Sequence, residues 1–183
     1  MKIYLDIDDT LITNYISGVY LKTKPANHLK EFLEYMIKNH DVYWLTTHCN
    51  GDADTAVSYL GQFVGKDIVD MIKKIKPTKW THLKTEAVNM DEDFLWFDDQ
   101  LSFDEEKQLR EKGKLESFVR VNLELDPDIL REFVDRPVAC RGYVVDIFKK
   151  SYMLHIWTWP KFKAGWHRKI DGPNKRIFSI RKY

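Results

Sequence analysis

The sequence predicts an α/β domain, a Rossmann-like three-layer sandwich built on a parallel sheet, followed by a small C-terminal β appendage. Three observations predict it. Short, continuously apolar runs alternate with amphipathic segments through the first 136 residues. Strands that are apolar on both faces belong to a parallel sheet covered by helices on either side. From residue 137 onward both charge and patterning change, which sets 1–136 apart as one domain and 137–183 as an appendage. A hydrophobic content of 44% with 14% aromatics in 183 residues is enough for a packed core.

Residues 2–7 form a short apolar first strand. In 27–41, Leu29, Phe32, Leu33, Met36 and Ile37 recur at i, i+3, i+4, i+7 and i+8, an amphipathic helix with Asn27 as its cap. Residues 41–46, "DVYWLT", combine β-branched and aromatic side chains as a second strand. In 52–65, Ala53, Ala56, Val57, Leu60, Phe63 and Val64 make a helix face. Residues 67–75 read ambiguously, as a short strand among other options. Residues 77–89 read as a helix with Thr78 as cap. "DFLWFDD", 93–99, is a third strand. Residues 102–113 open on a Ser-x-x-Glu capping box, Ser102 with Glu105, and close at Gly113. Residues 116–122 form another strand, and 126–133 a last helix with Pro127 in its first turn. In the appendage, 142–159 and 166–183 each read as two strands around a turn.

The net charge of +1 hides a division. Residues 137–183 hold 7 Lys and 4 Arg against Asp146 and Asp171, a net +9, while 1–136 carry 18 basic against 26 acidic groups, a net −8. A basic segment interleaved with Tyr143, Tyr152, Trp157, Trp159, Trp166 and Phe178 suits phosphate contacts and base stacking, so nucleic acid is a possible partner of this part. The same aromatics would also serve to dock the appendage. Cys49 and Cys140 lack metal-ligand spacing and read as free thiols of a reducing compartment. No stretch has the pattern of a secretory signal or the length of a membrane span, so a cytoplasmic protein without a membrane partner is expected.

Open parallel sheets build their sites at the carboxyl ends of strands. Three predicted strands end in reactive side chains: Asp6 and Asp8 on the first, Thr46, Thr47 and His48 on the second, Asp98 and Asp99 on the third. Four acidic groups in one cleft require a cation. Oxygen-only ligands call for a hard one, and Mg2+ fits best because it accepts a few carboxylates and keeps water and phosphate oxygens. Such a set can perform phosphoryl transfer. One carboxylate attacks phosphorus, a second two positions on moves the proton, and a Thr hydroxyl and a Lys ammonium bind the phosphoryl oxygens.

The residues "YLDIDDTL", "VYWLT", "PTKW" and "FLWFDD", in that order over roughly residues 1–134, resemble the four motifs of the haloacid dehalogenase (HAD) superfamily of phosphohydrolases. The resemblance implies a Mg2+-dependent phosphatase acting through an aspartyl-phosphate. It makes Asp6 the nucleophile and Asp8 the general acid/base. Thr46 and Lys79 become the phosphate ligands, with Lys79 also easing repulsion among the carboxylates. Asp98 and Asp99 hold Mg2+ together with Asp6 and the backbone carbonyl of Asp8, and Thr10 buttresses the loop. Lys84 and Lys76 remain alternatives to Lys79, and Thr47 to Thr46.

Other readings of the acidic run fit less well. With Asp6 at the first position of a calcium loop, Leu11 stands where Gly is required and Ser17 where Glu is required. A receiver domain gathers similar groups but puts its acidic pair early and its Lys last, whereas here a second acidic pair comes last. His48 and Cys49 are placed to line the pocket, while Trp44, Trp80 and Trp96 are expected in the core. Residues 11–26 have room for a flap, and 49–78 for little beyond a helix and a strand, so no cap domain is expected. An open, uncapped site favours a large substrate such as a nucleic-acid end or a phosphoprotein. The alternative function is a nucleic-acid-binding or end-processing protein in which this domain serves the basic segment.

Overall fold

A computed structural model describes residues 1–17 and 20–135. The boundary expected at 136 and the β appendage of 137–183 lie outside the described residues. In chain order the elements are β1 (Lys2–Leu5), an antiparallel hairpin of β2 (Ile12–Ser17) and β3 (Tyr20–Pro25), α1 (Leu29–Asn39) and β4 (Asp41–Trp44). They continue with α2 (Asp54–Leu60), α3 (Lys66–Ile72), β5 (Phe94–Asp98), α4 (Phe103–Glu111), β6 (Phe118–Arg120) and α5 (Ile129–Asp135).

The main sheet is four-stranded and parallel throughout, in the order β4-β1-β5-β6. Helices flank it, as a Rossmann-like α/β fold requires. The two central strands, β1 and β5, are buried on both faces because their side chains are apolar at consecutive positions, as in Phe94 to Phe97. On one face Phe97 meets Phe32 of α1 and Phe133 of α5, with ring centroids 5.3 and 4.9 Å away. On the other, Trp96 stands edge-on to Phe118 at 5.7 Å. The chain leaves β1 for β4 on one side and returns to β5 on the other. Strand order therefore reverses between β1 and β5, the position where open α/β sheets build their clefts.

Several elements differ from expectation for physical reasons. Residues 66–72 are helical, and their ambiguous pattern resolves with Ile72 facing the core. The strand-like pairing falls one step later, where Lys76 exchanges backbone hydrogen bonds with Val42 and Trp44 of β4. Residues 77–83 do not form a helix. The Thr78 hydroxyl donates to the Trp44 carbonyl, and the Glu86 carboxylate takes the backbone N–H groups of Thr81, His82 and Leu83. With those groups engaged, only one 3-10 turn forms, Lys84–Ala87. Asn27 does not cap α1; its side chain donates to Asp128 at 2.8 Å, next to the start of α5.

The Ser102–Glu105 capping box of α4 forms as expected, with Ser102 Oγ accepting from the Glu105 N–H and Glu105 accepting from the Ser102 N–H. Gly113 follows with a left-handed φ of 63°, the conformation a helix-terminating glycine supplies. Ser102→Ala is expected to cost about 1 kcal/mol, the usual worth of such a cap, read as a lower urea midpoint at unchanged m-value.

Candidate functional site

Register explains why the carboxylates meet. β1 pairs with β5 as Tyr4↔Trp96 and Leu5↔Phe97, and the Asp6 N–H continues the ladder by donating to the Phe97 carbonyl at 3.0 Å. Asp6 therefore lies abreast of Asp98, one residue past the last pair. Side chains alternate along strands, so Asp6 and Asp98 leave the sheet on the same face as Tyr4 and Trp96. Asp6, Asp98 and the half-buried Asp99 each offer a carboxylate oxygen, and the three atoms lie within 4.8 Å of one another. The Arg120 guanidinium donates to the Asp99 carbonyl and the Val121 N–H to the Asp98 carbonyl, which ties this turn to β6.

The lysine beside these carboxylates is Lys84, not Lys79. Lys84 Nζ donates to Asp6 Oδ1 at 3.0 Å and to Asp98 Oδ2 at 2.7 Å. Lys79 is exposed, its aliphatic stem alongside Gly51, and among the described residues it pairs with none of the three acids. Lys76 pairs with Asp41 at the sheet edge. Lys79 lies in the stretch that stays extended, five residues short of the 3-10 turn; that turn brings Lys84 to the switch point. Glu105 anchors it there. The same carboxylate that closes the α4 capping box accepts the Lys84 backbone N–H at 2.8 Å.

One ammonium does not neutralise three close carboxylates. Burial and the neighbouring Asp98 charge push the Asp6 carboxyl up to about 7, against the opposing pull of Lys84. Burial and Asp98 likewise push Asp99 up to about 6. Burial works against the Lys84 ammonium, but Asp6 and Asp98 together outweigh it and hold its pKa above the usual value. Two acids raised in this way are what an oxygen-ligand metal site looks like without its cation, so the donor set fits a divalent metal.

Asp8 is arranged differently. Its carboxylate is not one of the three clustered acids; Oδ1 accepts from the Tyr59 hydroxyl at 2.8 Å, and Oδ2 lies 2.9 Å from His48 Nε2. His48 and Tyr59 stack, with ring centroids 3.7 Å apart and planes at 15°. Burial and the hydrogen bond to Asp8 push the Tyr59 hydroxyl up to about 12, so it stays protonated as a donor. Asp9, between Asp8 and Thr10, is exposed and left-handed with φ of 52°. An aspartate accepts that conformation more readily than most residues.

Thr46 is fully buried at the carboxyl end of β4, where its hydroxyl accepts the His48 N–H at 3.3 Å. Thr47 is exposed. Thr10 is buried and its hydroxyl has no hydrogen-bond partner among the described residues. Cys49, expected beside the pocket, is buried. Its buried thiol bonds the carbonyls of Asp52 and Thr78 and takes the Thr78 N–H, and burial pushes its pKa up.

Two contributors escape a reading of the sequence. Trp96 fills the core as expected, but its indole N–H also donates to Asp98 Oδ2 at 3.0 Å. The period-2 spacing of Trp96 and Asp98 on one strand is the signal that reveals it. Tyr59 reaches Asp8 across 51 residues of chain, and nothing local marks it. Among the described residues no helix is long and apolar enough to cross a membrane. No family model matches the chain, and neither a curated protein nor a solved structure matches it.

Proposed function

We propose that the protein is a Mg2+-dependent phosphohydrolase of the HAD type. The observation that carries the reading is the close set of Asp6, Asp98 and Asp99 with Lys84 at the strand-order reversal. Asp6 attacks phosphorus through a carboxylate oxygen, and the bond from phosphorus to the leaving oxygen breaks. The Asp8 carboxyl gives its proton to that oxygen, and the alcohol departs. Water then attacks the aspartyl-phosphate and loses its proton to Asp8. The bond from phosphorus to Asp6 breaks, which releases phosphate and restores both acids. Lys84 and the Thr46 hydroxyl, which can donate its own proton while its oxygen accepts the His48 N–H, bind phosphoryl oxygens. Asp6, Asp98 and Asp99 would hold Mg2+, which when bound neutralises charge on those oxygens.

The described chain offers this site no cap domain. The hairpin of β2 and β3 stands between β1 and α1, and two short helices stand between β4 and Lys84. A site without a cap would suit a phosphorylated end of a large molecule as substrate. The nucleic-acid reading rests on 137–183, outside the described residues.

Purified full-length protein is expected to hydrolyse p-nitrophenyl phosphate with Mg2+ and to stop when EDTA is in excess. Mg2+ is also expected to raise the melting temperature, because it binds the folded site alone. Binding displaces the proton that Asp6 holds below about 7, so the stabilisation is larger at pH 8 than at pH 5. Turnover that survives EDTA would refute the reading.

A further inference from the structure

We propose that His48 and Tyr59 are positioning residues that hold the Asp8 carboxylate by both oxygens, turned to the leaving group and kept out of the cation's ligand set. The inference rests on the phosphohydrolase reading above. Its starting point is a difference between two similar residues. Asp6 and Asp8 are separated by Ile7 alone, yet Asp6 joins Asp98 and Asp99 while Asp8 does not. With a divalent cation held by Asp6, Asp98 and Asp99, a carboxylate two residues from Asp6 would be an obvious further ligand. Once bound to metal it is a poor proton carrier, so something must hold it elsewhere.

Two elements supply the restraint. Tyr59 rises from α2 and donates to Oδ1 at 2.8 Å, and His48 comes from the loop after β4, with Nε2 2.9 Å from Oδ2. Neither ring is loose. They stack on each other at 3.7 Å, Phe63 stands edge-on to Tyr59 at 5.6 Å, and the Thr46 hydroxyl accepts the His48 N–H. Stability does not explain the arrangement. The Asp8 side chain is 41% exposed and that of His48 26%, and pairs this open to water add at most about 1 kcal/mol. What two bonds to two oxygens do fix is rotamer and direction, the quantities on which general acid–base catalysis depends.

The consequence concerns both proton transfers. With a good leaving group such as p-nitrophenolate, the first step needs no acid, whereas an alkoxide does. The test compares kcat/KM for p-nitrophenyl phosphate with that for an alkyl phosphate monoester, in wild type, Tyr59→Phe, His48→Ala and Tyr59→Phe/His48→Ala. Tyr59→Phe keeps the ring and its stack and removes only the donor. The double variant is expected to lose at least about tenfold more on the alkyl ester than on the aryl ester, within the range that general acid catalysis supplies. KM for the aryl ester is expected to stay unchanged, and His48→Gln to recover part of the His48→Ala loss. Equal losses on both esters, with the wild type active and Mg2+-dependent, would overturn this inference and leave the phosphohydrolase reading standing. A wild type inactive on both esters would overturn the two together.

Discussion

Asp6→Asn is expected to abolish phosphate-ester turnover, by at least about a thousandfold, and at the same time to stabilise the protein without metal. Loss of activity follows from loss of the attacking oxygen pair, since an amide does not form the acyl-phosphate. Stabilisation follows from the cost of Asp6 as an anion. Its folded pKa is raised to about 7 from an unfolded value of 3.8. The folded state therefore binds more protons than the unfolded state between about pH 4 and 7, and wild-type stability falls as pH rises through that window. Asparagine resembles the protonated acid at every pH. The variant's advantage is thus greatest near pH 8, on the order of 4 kcal/mol since one pKa unit is worth ~1.4 kcal/mol, and fades toward pH 4. Melting curves of both proteins in EDTA across that range, beside an activity assay in Mg2+, read both effects. Robust turnover by the variant would refute Asp6 as nucleophile, and a lower melting temperature at pH 8 would refute the account of its burial.

The same physics divides what is legible in the sequence from what is not. Asp6 and Asp98 are legible because each directly follows an apolar strand, and parallel strands that end in carboxylates deliver them to one edge. The Ser102–Glu105 box is legible because its bonds are local. The second use of Glu105, holding the Lys84 N–H, is not, since it spans 21 residues. Lys84 is legible only as an alternative to Lys79, for a related reason. Residues 77–83 suit a helix in composition, and nothing nearby reveals that Glu86 and the β4 edge will take their polar groups. Tertiary partners overrode propensity there, and they did so again at Asn27, drawn away from α1 by Asp128. Tyr59 is not among the apolar positions that mark the helix of 52–65, and only the fold places it over Asp8.

Lys84 and Lys79 separate the two accounts of the site's cation most sharply. Lys84→Ala is expected to lower kcat/KM by at least about a hundredfold, in line with removal of a charge-stabilising donor, while Lys79→Ala changes it less than about threefold. Stability diverges in the same way. Among the described residues Lys84 is the only cation paired with Asp6 or Asp98, whose side chains are 8% and 2% exposed. Removing one partner of a buried pair leaves the other charges uncompensated, at a cost of ~3 kcal/mol. Lys79 is exposed, so its truncation leaves the melting temperature nearly unchanged. The Lys84→Ala deficit should shrink as pH falls toward about 7, because Asp6, freed from the pull of Lys84, then takes up a proton above that value and the repulsion that Lys84 offsets is reduced. It should shrink also on addition of Mg2+, which replaces the missing positive charge. That pair of rescues distinguishes an electrostatic role from a packing one, since a cavity left by the lysine stem would respond to neither. A Lys84→Ala protein with wild-type turnover, or a Lys79→Ala protein without it, would return the phosphate-binding role to Lys79.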